Sequence, residues 1–276
     1  MRQSTYTTSD GTVFDVSGRE GIALASSGPY GWEYASSSAA PSRDVRKISG
    51  ELAFATRADH GKANLLMELC ALDMDNETPG TWEVDSWKLE CYVLSADASS
   101  YADRNRRLTV SILVPDPIWR RETHYEFMPA SGSSSEIGGF DYELDYPFDY
   151  GGVASSSELA VSTVAPCDFR LTVYGYAAKP SVYIAGNRYG VDVTVPAGGL
   201  LVIDSAKKAS MRGDSVVLYD KYGNSQDVFS KRVKGAEGSG SYIFERIPKG
   251  SHDVTWDQGW GFSLDLIERR AALPWT

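Results

Sequence analysis

Residues Thr81–Glu122 constrain this chain more than any other stretch, reading TWEVDSWKLECYV and later RLTVSILVPDPIWRRE. Trp87, Leu89, Cys91 and Val93 alternate with Lys88, Glu90 and Tyr92, and Leu108, Val110, Ile112 and Val114 alternate with Thr109, Ser111 and Leu113. Alternation of this kind is the period of a strand with one buried face, so the stretch predicts two long paired strands. Pro115 and Pro117 end the second strand, because neither has an N–H to give to a ladder. The stretch specifies scaffold and carries no catalytic grouping, which points to an assembly protein and away from an enzyme.

The rest of the composition agrees. A chain of 276 residues is long enough for one large or two ordinary domains. Sixteen Tyr and seven Trp exceed what helical bundles carry and favour sheets, where flat rings pack across strands. The opening RQSTYTTSDGTVFDV has no apolar run, and nowhere do eighteen apolar residues follow one another, so neither a secretion signal nor a membrane-crossing helix is expected. Cys70, Cys91 and Cys167 are odd in number and form no C-x-x-C pair, which predicts reduced, buried thiols. Residues 1–135 hold 13 basic and 19 acidic groups, residues 136–149 none and 5, and residues 150–276 hold 14 and 13. That distribution argues against tight or sequence-specific DNA binding, which needs clustered Lys and Arg to displace counterions.

Short strands are predicted at Ser4–Thr8, Thr12–Val16 and Val45–Thr56. The Ser/Ala/Gly/Pro-rich stretch Ser26–Ser42 reads as a long loop or arm, an uncommon feature in a compact domain unless it is disordered or engages a partner. One helix is predicted over Asp59–Asp73, with Asp59 as N-cap and Leu65, Leu66, Leu69, Cys70 and Leu72 as its apolar face. Pro129–Gly152 reads as a joint between domains: PASGSSSEIGG is flexible by composition, and FDYELDYPFDYGG mixes acids, aromatics and glycines. Beyond it, turn signals recur every eight to twelve residues, at Gly186-Asn187, Pro196–Gly199, Arg212–Asp214, Gly223-Asn224, Gly238–Gly240, Pro248–Gly250 and Gly259–Gly261. The runs between them (DFRLTVYGY, VDVTV, LLVID, SVVLY, YIFERI, HDVTW, FSLDLI) are strand-like and describe an antiparallel β-sandwich. The expected division is residues 1–129, a linker at 130–150, and residues 151–276.

Chemistry finds little footing. His60, His124 and His252 fall in different elements without ligand-spaced partners. His124-Tyr-Glu126 matches half of a zinc deaminase motif, but Pro166-Cys167 lacks the second Cys that would complete it, so no metal is expected. There is no G-x-S-x-G elbow, no phosphate loop and no G-x-G-x-x-G opening a helix. Asp141, Glu143, Asp145 and Asp149 are the one carboxylate cluster, and alternation puts the first three on a single strand face, where a solvated linker explains them better than glycosidase or calcium chemistry. Trp256 and Trp260, with Tyr242 near, form a candidate sugar platform, although strand-end tryptophans more often cover a core. No catalytic, cofactor or metal residue is assigned.

The order of RDVRKISGELAF, the leucine-rich helix, WKLECYVL, RLTVSILVPDPIWRRE, GGLLVIDSAKKA and SYIFERIPKGSHDVTW resembles the distal tail protein (Dit) family of long-tailed phages of Gram-positive hosts. The resemblance spans most of the chain and rests on strand order and spacing. It implies a mainly β fold: an N-terminal β-barrel-like or split-sheet domain with one helix, then a C-terminal galectin-like antiparallel β-sandwich. It further implies a non-enzymatic virion component, present in the host cytoplasm before assembly and at the tail tip after it. The component would form a homohexameric ring joining the tail tube to tail-associated, tail fibre or receptor-binding proteins. DNA would pass through the lumen without specific binding, and no part would insert into a membrane. Some relatives carry an inserted carbohydrate-binding module, for which this chain has no room; a carbohydrate-binding sandwich is the alternative reading.

Overall fold

The computed structural model describes residues 3–24, 30, 35–36, 41–42, 45–54, 60–100, 106–129, 158–207 and 214–274. Contacts divide the chain into two units, Met1–Arg121 with Arg269–Thr276, and Glu122–Glu268. The division thus falls inside the strand Trp119–Phe127, ahead of the expected position 129, and the end of the chain belongs with the first unit. The reason is packing. Trp119 and Leu273 are buried in the first core, while Phe127 is buried in the second. The expected linker and its acidic cluster lie outside the described residues, as do most of the Ser26–Ser42 stretch and Asp59.

In the first unit, the expected pair of strands is present but the leading one is a hairpin. Gly80–Val84 pairs with Trp87–Ser100 about Asp85 and Ser86, which hold φ of 48° and 70°. A two-residue turn of this hand matches strand twist. The sequence carries the sign of it, since the buried phase moves from Trp82 and Val84 to Trp87 and Leu89 across the turn. Trp87–Ser100 then pairs with Arg106–Val114, and beyond the two prolines Arg120 pairs with Lys88 along the same edge. The prolines therefore interrupt the ladder and the chain resumes it.

The circuit continues from Arg106–Val114 to Arg46–Phe54 to Ile22–Leu24 on one side, and from Gly80–Val84 to Ser4–Thr7 to Val13–Asp15 on the other. A bridge between Ser17 and Ala23 joins its two ends, so the sheet closes on itself as a barrel does. Closure leaves no free ladder at that seam. Gly80 is needed where it stands, because a Cβ there would run into the ring and hydroxyl of Tyr6.

The helix forms over His60–Asp75 and packs on Trp87–Ser100. Its buried face is Ala63, Leu66, Leu69, Cys70 and Asp73, whereas Leu65 and Leu72 are 43% and 51% exposed. The expected face is thus rotated: spacing by three and four from Ala63 runs through Leu66 and Cys70 to Asp73 and passes Leu65 and Leu72 by. Asp73 is buried because it is fully used, accepting from the Ser9 N–H at 3.0 Å, the Ser9 hydroxyl at 2.6 Å and the Tyr6 hydroxyl at 3.3 Å.

The second unit is a sandwich. One sheet runs Ser225–Asp227, Val216–Tyr219, Leu200–Asp204, Asp168–Tyr174, Gly261–Arg270, with Trp119–Phe127 beside the last. The other runs Glu158–Val161, Gly250–Trp256, Ser181–Ile184, Asn187–Gly190. All pairings with a printed register are antiparallel. The alternate residues Leu171, Val173, Phe262 and Leu264 of the first sheet meet Leu159, Val182, Ile184 and Val254 of the second in one core.

Two expectations shift here. The hairpin turn is Ala185-Gly186, with φ of 53° and 78°, one residue before the expected Gly186-Asn187. YIFERI is not a strand: Ile243, Phe244 and Ile247 are all buried, which breaks alternation, and the segment is held by the Cys167–Ile247 bridge and by Arg246 Nε on Asp168 at 2.9 Å.

Candidate functional site

The expected metal half-motif becomes part of a polar lattice on the outer face of the second unit's first sheet. Alternation puts Glu122, His124 and Glu126 on one face, and the register aligns Arg170 with both Asp265 and Asp204. His124 Nδ1 lies 2.6 Å from Asp265 Oδ1, and its Nε2 lies 3.7 Å from Glu126 Oε2. The Tyr174 hydroxyl donates to Glu126 Oε1 at 2.8 Å, and Arg170 reaches Asp204 at 3.3 Å and Glu122 at 3.9 Å. The hydrogen bond to Asp265, opposed by partial burial and aided by the charges of Asp265 and Glu126, holds His124 above its ordinary value.

Two carboxylates on opposite ring nitrogens cannot converge on one ion, and no group of three or more His, Cys, Asp or Glu among the described residues could hold a metal. Each carboxylate faces a cation or a donor: Asp265 and Glu126 the His124 ring, Glu126 the Tyr174 hydroxyl, and Glu122 and Asp204 the Arg170 guanidinium. The lattice ties strands together.

The other candidates scatter. His60 opens the helix in the first unit, while His252 sits in Gly250–Trp256 with its Nε2 2.9 Å from the Pro248 carbonyl. Cys70, Cys91 and Cys167 are buried thiols, and desolvation pushes Cys70 and Cys91 up to about 12, which leaves them protonated and inert. Asp141, Glu143, Asp145 and Asp149 are outside the described residues.

Trp256 and Trp260 do come together: Trp260 belongs to the core, Trp256 is half-buried against it, and both border one groove. Trp260 is 5% exposed, and the Trp256 ring packs edge-on against Phe127 at 5.8 Å and Phe262 at 5.3 Å while its Nε1 donates to the Trp260 carbonyl at 2.8 Å. Tyr242 is elsewhere, edge-on to Phe244 at 6.1 Å. What the sequence did not show is a groove of about 310 Å³ beside Trp256, with Tyr183, Thr255 and Asp257 in its wall.

No family model matches the chain, and no curated protein matches it in sequence. Solved structures do match in three dimensions. The crystal structure of the SPP1 Dit (gp 19.1) protein, described as a paradigm of the hub adsorption apparatus in Gram-positive infecting phages, superposes with a TM-score of 0.53 at 11% identity. The alignment covers 97% of this chain and 99% of that one. The chain has the Dit fold. A chain of the phage P2 baseplate in its activated conformation with Ca gives a TM-score of 0.55 at 12% identity, over 99% of this chain and 100% of that one. The same baseplate with Sr gives 0.54 at 13% identity. Coverage from end to end means that both units of the present chain fall within the Dit fold, including the closed sheet of the first and the sandwich of the second. The mainly β architecture that the resemblance implies is the architecture found, with one α-helix among the described residues.

Proposed function

We propose that this protein is a structural hub of a phage tail tip, of the siphovirus type and encoded by a phage or prophage. The single observation that carries the reading is the Dit fold over almost the whole chain, shared with a hub protein and a baseplate chain. In this reading six copies close a ring through the first unit, joining the tail tube above to tail-associated and receptor-binding proteins below, and the sandwich of the second unit is galectin-like. The protein waits in the host cytoplasm and ends in the virion, without catalysis, cofactor or membrane insertion.

Two physical features support a ring. Identical subunits close a ring through head-to-tail contacts between two different patches, and Leu65 and Leu72 present an exposed apolar stripe on the helix that the first unit's own core does not use. The excess of 19 acidic over 13 basic groups in residues 1–135 suits a lumen that lets DNA pass without holding it. The alternative, a carbohydrate-binding sandwich, rests chiefly on the half-buried Trp256, because Trp260 is 5% exposed.

The test is mass photometry and electron-microscope class averages of the chain alone and with its tail-tube partner. Six-fold rings are expected, with Leu65→Glu/Leu72→Glu remaining folded but failing to assemble. A strict monomer under both conditions overturns the proposal.

A further inference from the structure

The sandwich carries a second cavity, of about 470 Å³, whose wall includes Lys179, Arg188, Asp192, Lys231, Arg232 and Lys234. Five of these six are cations, in a chain whose formal charge is −10. Among the described residues one of the five meets a carboxylate, Lys179 Nζ at 2.9 Å from Asp192. Arg188 is held by a neutral partner, donating from Nε and Nη2 to the Ser181 hydroxyl at 3.2 and 3.0 Å. Arg232 lies over the Phe229 ring at 3.8 Å and donates to the Phe229 carbonyl at 2.9 Å. Neutral partners fix the guanidinium planes and leave their charge uncompensated.

The wall is built into the backbone. The segment bearing Lys231, Arg232 and Lys234 is clamped to the end of the Asn187–Gly190 strand: the Val233 N–H donates to the Gly190 carbonyl at 2.8 Å, and the Asp192 N–H to the Lys231 carbonyl at 2.8 Å. Gly190 lets the pieces close, since a Cβ there would sit 2.6 Å from Ser181 Oγ, 3.1 Å from Val233 Cγ2 and 3.4 Å from Arg188 Nε. Holding like charges together in this way costs free energy that an anion would return.

We infer that this cleft binds a phosphorylated saccharide, with the phosphate on Arg188, Lys231 and Lys234 and the sugar ring reaching over Ser181 toward Tyr183. Two observations select that class. The groove beside Trp256 shares Lys179 and Ser181 with the cationic cavity and adds Tyr183, 44% exposed, with Thr255 and Asp257 for hydroxyl groups. A ligand bridging the two needs a compact anion at one end and a polar ring at the other, within the size range of small-molecule sites. A long uniform polyanion would instead meet, in the wall of the second groove, Asp257 and a Lys179 already paired with Asp192. The inference does not depend on the hub reading.

The test is calorimetric titration of the full chain with glucose 1-phosphate, glucose, inorganic phosphate and a short single-stranded DNA. Glucose 1-phosphate is expected to bind at least about tenfold tighter than inorganic phosphate, with no heat from glucose. Lys231→Glu/Lys234→Glu, two exposed changes checked for folding by circular dichroism, is expected to weaken glucose 1-phosphate binding about tenfold or more. Unchanged binding in that variant, equal affinity for inorganic phosphate, no binding at all, or tighter binding of the DNA overturns the inference.

Discussion

His124 shows how a single residue acquires a property that its spacing only hints at. The H-x-E pattern puts His124 and Glu126 on the same face of an extended strand, but Asp265, the nearer partner at 2.6 Å, is 141 positions away. The imidazolium is stabilised in the folded state, first by the hydrogen bond to Asp265, so its pKa stands above the ordinary 6.5. A raised folded pKa contributes stability fully below the unfolded value, near pH 6.5, and loses it as pH rises through the folded value. With the side chain 57% exposed, screening limits that contribution to about 1 kcal/mol or less. Proton-detected titration of the His124 ring is expected to give a midpoint above 6.5, returning toward it in Asp265→Asn. A midpoint at or below the ordinary value in the parent chain would remove the ion pair from the account.

At the scale of elements, turns govern register. The Ser181–Ile184 and Asn187–Gly190 strands are joined by Ala185 and Gly186, both at positive φ. Left-handed backbone costs an L-residue with a Cβ about 1–2 kcal/mol, and Asn tolerates it better than Ala while forming the favoured Asn-Gly pair of this turn type. Ala185→Asn is therefore expected to raise stability by about 1 kcal/mol in urea denaturation, without changing the slope of the transition. A loss of stability instead would mean that the turn is held by its flanking strands in some other conformation. The sequence reading set this turn one residue late because Gly-Asn is itself a turn pair. Asn187 is in fact buried, its Nδ2 donating to the Tyr242 carbonyl at 3.0 Å, a partner 55 positions distant.

For the whole molecule, the question is which lengths of chain hold a core. We propose that the two units fold separately, and the contacts locate the second at Glu122–Glu268. Phe127 stacks on Phe262 with centroids 4.6 Å apart and an interplanar angle of 10°, and it belongs to the sandwich core. A fragment beginning at residue 151 lacks that ring and the strand that carries it. Removing a buried Phe costs about 3–5 kcal/mol, a large part of the stability of a small domain. The fragment 122–268 is expected to melt cooperatively, and 151–268 to melt at a much lower temperature or not at all. Equal melting of the two would place the boundary after Phe127.

Period-2 alternation in Trp87–Val93 and Leu108–Val114, the prolines at 115 and 117, and recurrent turn residues after 152 were enough to specify strands, their antiparallel order and a mainly β fold, because those signals are local and each strand's buried face is written in its own residues. The helix was legible as an element but not in its rotation, since Leu65 and Leu72 are as apolar as Leu66 and Leu69; the partner strand, not composition, chooses the face. Pairing between distant segments was not legible at all. Whether the first sheet closes through Ser17 and Ala23, whether Asp73 finds Ser9 and Tyr6, and whether Arg188 is brought to Lys231, Arg232 and Lys234 depend on which elements meet. Those meetings are set by burial and hydrogen-bond satisfaction over the whole chain, so the tertiary structure alone decided them.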